Sequence, residues 1–242
     1  MKDQYVGDIG DYTKLGLLRA VQETGLSIGV NWYLTPKDKK PDGRHTKYLK
    51  SACDTPDITL HNVLKHIVDS DLRSVAELEQ SGLLNNAAYF NELLDFSNRP
   101  NKRQFRDAWH KQVLSALRQQ EIVFLDPDNG LEVKSSKPYS SNGNKYTTYQ
   151  EIVDYFENGA SVIVYNHRDH SPESQYKERL TRFRNIEGTS RADIFCLKAS
   201  RFSVRDYLFV TQAKHTQQLK KEIDKMLCTG WKKYLTYRDI GS

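Results

Sequence analysis

The stretch EIVFLDPDNGLEVK, residues 121–134, sets four apolar residues against an Asp-Pro-Asp-Asn-Gly sequence. Proline fixes its own φ and biases the residue before it toward extended geometry. At the end of a strand, Asp126-Pro127 therefore presents a carboxylate at the rim of a sheet. Asp126, Asp128 and Asn129 are candidate catalytic residues, since a carboxylate or amide there can hold an amino group or help position a metal. The alternative is a plain turn, because Asp and Asn tolerate left-handed backbone and Asn-Gly favours hairpins.

The same residues admit a second chemistry. Pro127-Asp128 followed by Glu132-Val133-Lys134 resembles the proline-acid and acid-x-lysine pattern of Mg²⁺-dependent nucleases. On a strand, Glu132 and Lys134 share a face, so Asp128, Glu132 and Lys134 could together hold Mg²⁺ and orient water. Near the start, YVGDIGDYTKLGLLR places Gly7, Asp8, Gly10 and Asp11 before a helix. Amides freed by glycines at a helix N-terminus hold anions, and Lys14 lies one turn in. Simple N-capping by Asp11 explains the same residues equally well. NHRDH puts His167 and His170 three apart past an apolar run, a spacing that suits metal or proton transfer but equally a polar strand exit. His61 and His66, five apart, do not share a helix face.

Charge is distributed unevenly around these motifs. The 242 residues carry a net charge of +5, yet residues 37–50 alone hold six Lys or Arg against two Asp. Residues 165–205 hold nine basic against five acidic residues. Two basic clusters suggest a polyanionic partner, nucleic acid first, although solvated surface lysines would look the same. Lys39, Lys40, Arg44, Arg179 and Arg182, with Arg184 beside them, are the candidate phosphate contacts. Lys145 belongs with them, because the loop after Asn129 interleaves Lys137, Tyr139, Lys145 and Tyr146 in a way that suits phosphate and base stacking. No run of eighteen apolar residues and no apolar leader is found, which argues against membrane spanning and secretion. Cys53, Cys196 and Cys228 are far apart and form no Cys-x-x-Cys, as expected of reduced thiols in a cytoplasmic protein.

These residues need elements to carry them. Leu15, Leu17, Leu18 and Val21 predict a helix over 11–23, with Gly25 as its stop. SIGVNWYLT (27–35) reads as a strand ended by Pro36. Residues 58–95 are helix-prone, but LRSVAELE fits strand or helix, and 103–119 form an amphipathic helix. IVFLD is a buried strand. A helix over 148–157 has Thr148 and Glu151 at capping-box spacing. ASVIVYNH is another buried strand, before a helix capped by Ser171 with Pro172 in its first turn. DIFCLKA and RDYLFVTQ read as paired strands, with a helix over 215–227. Apolar strands alternating with helices predict a single α/β domain over 1–242. Its sheet is mostly parallel with an antiparallel C-terminal edge. Ligands of such sheets bind beyond the carboxyl ends of the strands. That rule puts Thr35, Asp126–Asn129 and Asn166–His170 on one rim, and favours a strand exit over a free turn.

In this order the motifs resemble the bacterial ribosomal-RNA adenine-N6 methyltransferases. GDIGDYTK stands where that family has a Gly-Asn, Asp and Lys segment leading into a helix. DPDNGLEVK and YTTYQEIVDYF stand where it has an Asp-Pro-Pro-Tyr motif, a Lys and an Asp-Tyr helix start. The chain is also similar to a bacterial group sharing the Gly-Asp, Asp-Tyr, Lys and Asp-Pro-Asp-Asn-Gly signatures, from which no activity carries over. The resemblance implies a Rossmann-like methyltransferase-type sheet with a helical insertion near 45–115, and use of S-adenosylmethionine on a nucleic acid. It implies that Asp126 holds the target amino group and that Lys14 and Asp11 belong to the cofactor end. Glu77, or Glu79, would hold the cofactor ribose if VAELE is the second strand. The chain departs from the family in three places, the first being Leu15 where a histidine follows the opening lysine. PKDKKPDG follows the first strand where a glycine-rich loop is expected, and Asp128 and Asn129 replace the second proline and the aromatic ring. A cofactor-free nucleic-acid-binding module on the same fold is the further alternative.

Overall fold

A computed structural model describes residues 1–38, 43–53, 55–201 and 204–241. Strand residues alternate between two buried clusters, and this alternation builds the architecture. On β1 (Ile28–Asn31), β3 (Ile122–Leu125) and β6 (Ser161–His167), Ile28, Val30, Phe124 and Ile163 join one core while Val123, Leu125, Val162 and Val164 join the other. A strand with apolar residues on both faces has to be covered on both. Helices α1 (Ile9–Gln22), α2 (Ile58–Asp69), α3 (Val75–Gln80) and α7 (Ala213–Leu227) cover the first face. Helices α4 (Lys102–Ala116), α5 (Tyr149–Glu157) and α6 (Glu173–Thr181) cover the second.

The sheet has seven strands. With β2 (Ala88–Phe90), β7 (Asp193–Ala199), β8 (Arg205–Thr211) and β9 (Leu235–Tyr237), their order is β2-β1-β3-β6-β8-β7-β9. Strands β2, β1, β3 and β6 pair in parallel, and β8 is antiparallel to β6 and β7, so five strands share one direction while β8 and β9 oppose it. This is the expected Rossmann-like α/β sheet with an antiparallel C-terminal edge. The chain leaves β1 toward β2 on one side and later returns to β3 on the other. The rim above β1 and β3 is thus a topological switch point. Two short strands, β4 (Gly130–Leu131) and β5 (Tyr146–Thr147), pair in parallel beside it.

Several local readings change. VAELE is helical, not a second strand: Ser74 caps α3 by accepting from the Glu77 amide, and the sheet's β2 comes later at 88–90. The stretch 45–115 is mainly helical but contains that strand. Ser171 does not cap α6; Pro172 takes the cap position, and Ser171 bonds the Asp169 carboxylate instead. The Thr148–Glu151 capping box forms as the spacing predicts. Among the described residues no helix is long and apolar enough to cross a membrane.

Candidate functional site

Asp126 lies one residue past β3, its amide still bonded to the Asn31 carbonyl of β1. Its side chain is buried against Lys14, with Nζ 2.6 Å from Asp126 Oδ2 and 2.8 Å from Asp11 Oδ1. Lys14 and Asp11 are one turn apart on α1, so both point at the same spot. The Tyr165 ring lies 5.3 Å from the ammonium. Burial alone would lower the lysine's proton affinity, but two carboxylates outweigh it and the ammonium stays charged. The same burial, with Asp126 nearby, pushes the Asp11 carboxyl up despite Lys14.

The helix start differs from expectation. Asp8, not Asp11, is the N-cap of α1, accepting from the Gly10 amide, while Asp11 Oδ2 accepts from the Gly7 amide. Every amide from Gly7 to Tyr12 has a protein acceptor, so these amides offer no open anion nest.

Beyond Pro127 the chain crosses the strand ends without forming a hairpin. Asp128 accepts from Thr35 Oγ1 at 3.1 Å, lies 2.8 Å from the Met1 ammonium and 3.6 Å from Lys2 Nζ. Burial opposes its ionisation, yet these cations hold its carboxyl below the usual range. The Asn129 amide donates to the Lys145 carbonyl, and the Asn129 carbonyl accepts from the His167 amide of β6. Gly130 then turns at φ +105°, with space for a Cβ blocked by Asn166 at 2.1 Å. The opening motif is a strand exit that knits β3 to β6.

The polar loop before β5 is held from below. Buried Arg106 donates to the carbonyls of Pro138, Gly143 and Tyr146 and, in bidentate fashion, to Glu151 at 2.7 and 2.8 Å. That clamp fixes the position of Lys145. A cavity of about 450 Å³ opens between this loop, the start of α1 and the strand ends. Its floor is Asp11, Lys14 and Asp126; Asp8, Tyr165, His167 and Arg205 form one wall, and Arg44, His45 and Lys145 line it too. Arg205 Nε donates to the Tyr165 hydroxyl at 2.8 Å, and its Nη2 lies 3.4 Å from Asp8 Oδ1. His167, pressed between burial and Arg205, has its pKa pushed down to about 4.

Besides His167 Nδ1, four polar groups of this cavity have no hydrogen-bond or ion-pair partner among the described residues. They are Asp126 Oδ1, the Asn129 side-chain amide, the Arg44 guanidinium and Lys145 Nζ. Asp126 is buried and Asn129 and Lys145 are half-buried, where polar groups normally find partners, while Arg44 is exposed; together they are what a ligand would meet.

The expected residues therefore divide. Asp126, Asp128, Asn129, Asp11, Lys14, Arg44 and Lys145 converge on one cavity from four separate segments. Lys39 and Lys40 lie outside the described residues. Glu77 sits on the first turn of α3 and lines a different depression with His66. Arg179 is paired with Asp169, Arg182 lies exposed over the Tyr149 ring, and Arg184 donates to the Gly241 carbonyl. His170 is exposed and apart from His167. His45, Tyr165 and Arg205 were not anticipated, and Asp8 was named only as part of the segment before the first helix. Only the Arg44-His45 adjacency within the basic stretch could have pointed to one of them.

Neither cofactor fits the residues as expected. For S-adenosylmethionine, the switch point needs open space after β1 where backbone approaches the ligand. Here Trp32 and Tyr33 are fully buried there, and buried Met1 packs against the strand ends, its amine donating to the carbonyls of Tyr33 and Asp126. For Mg²⁺, Asp128 is already matched by cations, Glu132 Oε1 accepts from the Tyr149 amide at the start of α5, and Lys134 is exposed outside the cavity. Among the described residues no group of three or more His, Cys, Asp or Glu side chains is placed to hold a metal ion. No protein-family model and no curated protein matches the chain.

Proposed function

We propose that the rim cavity binds a nucleotide unit of a nucleic acid, gripping a phosphate at its mouth and reading an amino-bearing base edge at its floor. One observation carries this reading: two cations, Arg44 and Lys145, and two amine-accepting groups, Asp126 Oδ1 and the Asn129 amide oxygen, share one cavity and have no partner among the described residues. Cations supply the sequence-independent phosphate attraction. A carboxylate and an amide oxygen together accept two hydrogen bonds, which the two hydrogens of one exocyclic amine can supply and the single N3–H of thymine cannot. A volume near 450 Å³ lies within the range of small-ligand sites and is large enough for one nucleotide but not for a duplex. The substrate form favoured is thus single-stranded, or a base turned out of its stack. The buried Met1, Trp32 and Tyr33 at the switch point favour a cofactor-free binding module on a methyltransferase-like fold over methyl transfer.

The test is fluorescence anisotropy with labelled twelve-nucleotide strands of oligo(dA), oligo(dC) and oligo(dT), and the matching RNAs. Tight binding of the amino-bearing strands, weakened about tenfold by Asn129→Ala, is the expected result. Equal affinity for oligo(dT) would overturn base reading. Calorimetric titration with S-adenosylmethionine serves as the counter-test: micromolar binding would show that the crevice opens and restore the methyl-transfer reading.

A further inference from the structure

The wall of the same cavity carries a chain of hydrogen bonds whose direction can be worked out. Arg205 Nε has one hydrogen and no lone pair to offer, and it donates that hydrogen to the Tyr165 hydroxyl at 2.8 Å. The hydroxyl's own hydrogen must then go elsewhere. His167 Nε2, 3.0 Å away, is its one acceptor within reach among the described residues. Leaving a buried hydroxyl hydrogen unbonded is unfavourable, so His167 Nε2 accepts and carries no proton. The ring's single proton is on Nδ1. That atom bonds no described residue, is not sealed in the protein, and belongs to a ring that lines the cavity.

We infer that Arg205 and Tyr165 lock His167 as a neutral Nδ1–H imidazole, a fixed hydrogen-bond donor aimed at the ligand. This deepens the nucleotide reading and rests on it for the identity of that ligand. Beside the amine-accepting Asp126 and Asn129, a donor from His167 completes a pattern of acceptor plus donor. The complementary edge has an exocyclic amine next to a ring nitrogen with a lone pair, as adenine and cytosine have and thymine lacks. His167 is then a specificity-determining residue, not a metal ligand in a pair with His170. Two facts agree with the geometry. The pKa of His167, pushed down to about 4, keeps the ring neutral at pH 7, and burial raises Tyr165 to about 12, so its hydroxyl keeps the hydrogen it donates. The charged groups acting on the ring from neighbouring elements are Arg205, Asp128, Lys14 and Asp8, two cations that lower its proton affinity and two acids that raise it.

The experiment is ¹⁵N NMR of histidine-labelled protein at pH 7, with and without oligo(dA). The expected spectrum gives His167 a pyrrole-type Nδ1 and a pyridine-type Nε2, and Tyr165→Phe releases it to a tautomer mixture. An Nε2–H or doubly protonated ring in the wild type overturns the inference. For the ligand side, His167→Asn keeps an amide N–H near the Nδ1 position and should retain oligo(dA) affinity within about threefold, while His167→Phe should lose about tenfold. Equal loss in both variants overturns the donor role. If wild-type protein binds no oligonucleotide, the nucleotide reading fails while the spectrum still decides the tautomer.

Discussion

The Lys14 ammonium stands 2.6 Å from Asp126 Oδ2, a contact that joins the first helix to the exit of the third sheet strand across 112 residues. Asp11 completes the group at 2.8 Å from the same ammonium. One buried cation between two carboxylates is a costly arrangement that persists only while all three are present.

Lys14→Met should therefore leave two uncompensated carboxyls and cost about 3–5 kcal/mol. Adding Asp11→Asn and Asp126→Asn to the methionine variant should recover much of that loss. Urea unfolding of the single and triple variants measures it. A triple variant no more stable than Lys14→Met would show that the ions do not form one unit.

Gly130 has φ +105° and faces Asn166 at 2.1 Å from the place a Cβ would occupy. Gly130→Ala combines left-side backbone strain with a clash against buried side chain and backbone, and should cost about 2 kcal/mol or more. Because Asn166 also accepts from the Leu131 amide, the loop should loosen before the sheet does. Amide exchange of residues 128–131 compared with β6 is the measurement.

Glu151 is held down to about 2 by Arg106, against the burial that would raise it. A carboxyl depressed in the folded state contributes stability that is complete above its unfolded value near 4.5 and is lost as pH falls toward 2. The loss should approach about 3 kcal/mol over that window. In Glu151→Gln the protein should be weaker at pH 5 yet flatter with pH, as read from denaturation midpoints at pH 5, 4 and 3. An unchanged slope would place the acid sensitivity elsewhere.

Arg44 and Lys145 line the cavity without partners among the described residues, so truncating either should leave the thermal midpoint nearly unchanged. Each alanine variant should weaken oligonucleotide binding and reduce the salt slope of log Kd by about 0.7 to 1. Anisotropy at 50, 100 and 200 mM salt reads both quantities. Arg182→Ala, exposed outside the cavity, is the control expected to change neither.

Much of the scaffold was legible because it is local. The apolar runs IVFL and SVIVY could only be strands covered on both faces, and the Thr148–Glu151 spacing marked a helix start that forms as written. Where local signals competed, reading failed for identifiable reasons. VAELE suited either period, and the capping spacing of Ser74 and Glu77 was the overlooked cue for its helix. The acids at 8 and 11 could each cap α1; the fold used Asp8 and turned Asp11 inward toward Lys14. Residues 88–90 are too short and too weakly apolar to announce the strand they form.

The candidate site was half legible. Asp126, Asp128 and Asn129 were placed at a rim by the rule that α/β ligands sit beyond strand ends, and that rule needs only strand order and direction. Which other residues meet them depends on register and on how α1 leans across the sheet. Arg205 is the first residue of β8 and pairs opposite His167 only because β8 runs antiparallel to β6. The sequence by itself determined element types, the parallel sheet and the acidic strand exit, since propensity, alternation and turn chemistry act over a few residues. Tertiary structure decided which charges are paired, which groups of the cavity stay open, and where the His167 proton resides. Those depend on contacts between distant segments, whose energies exist only after the chain has folded.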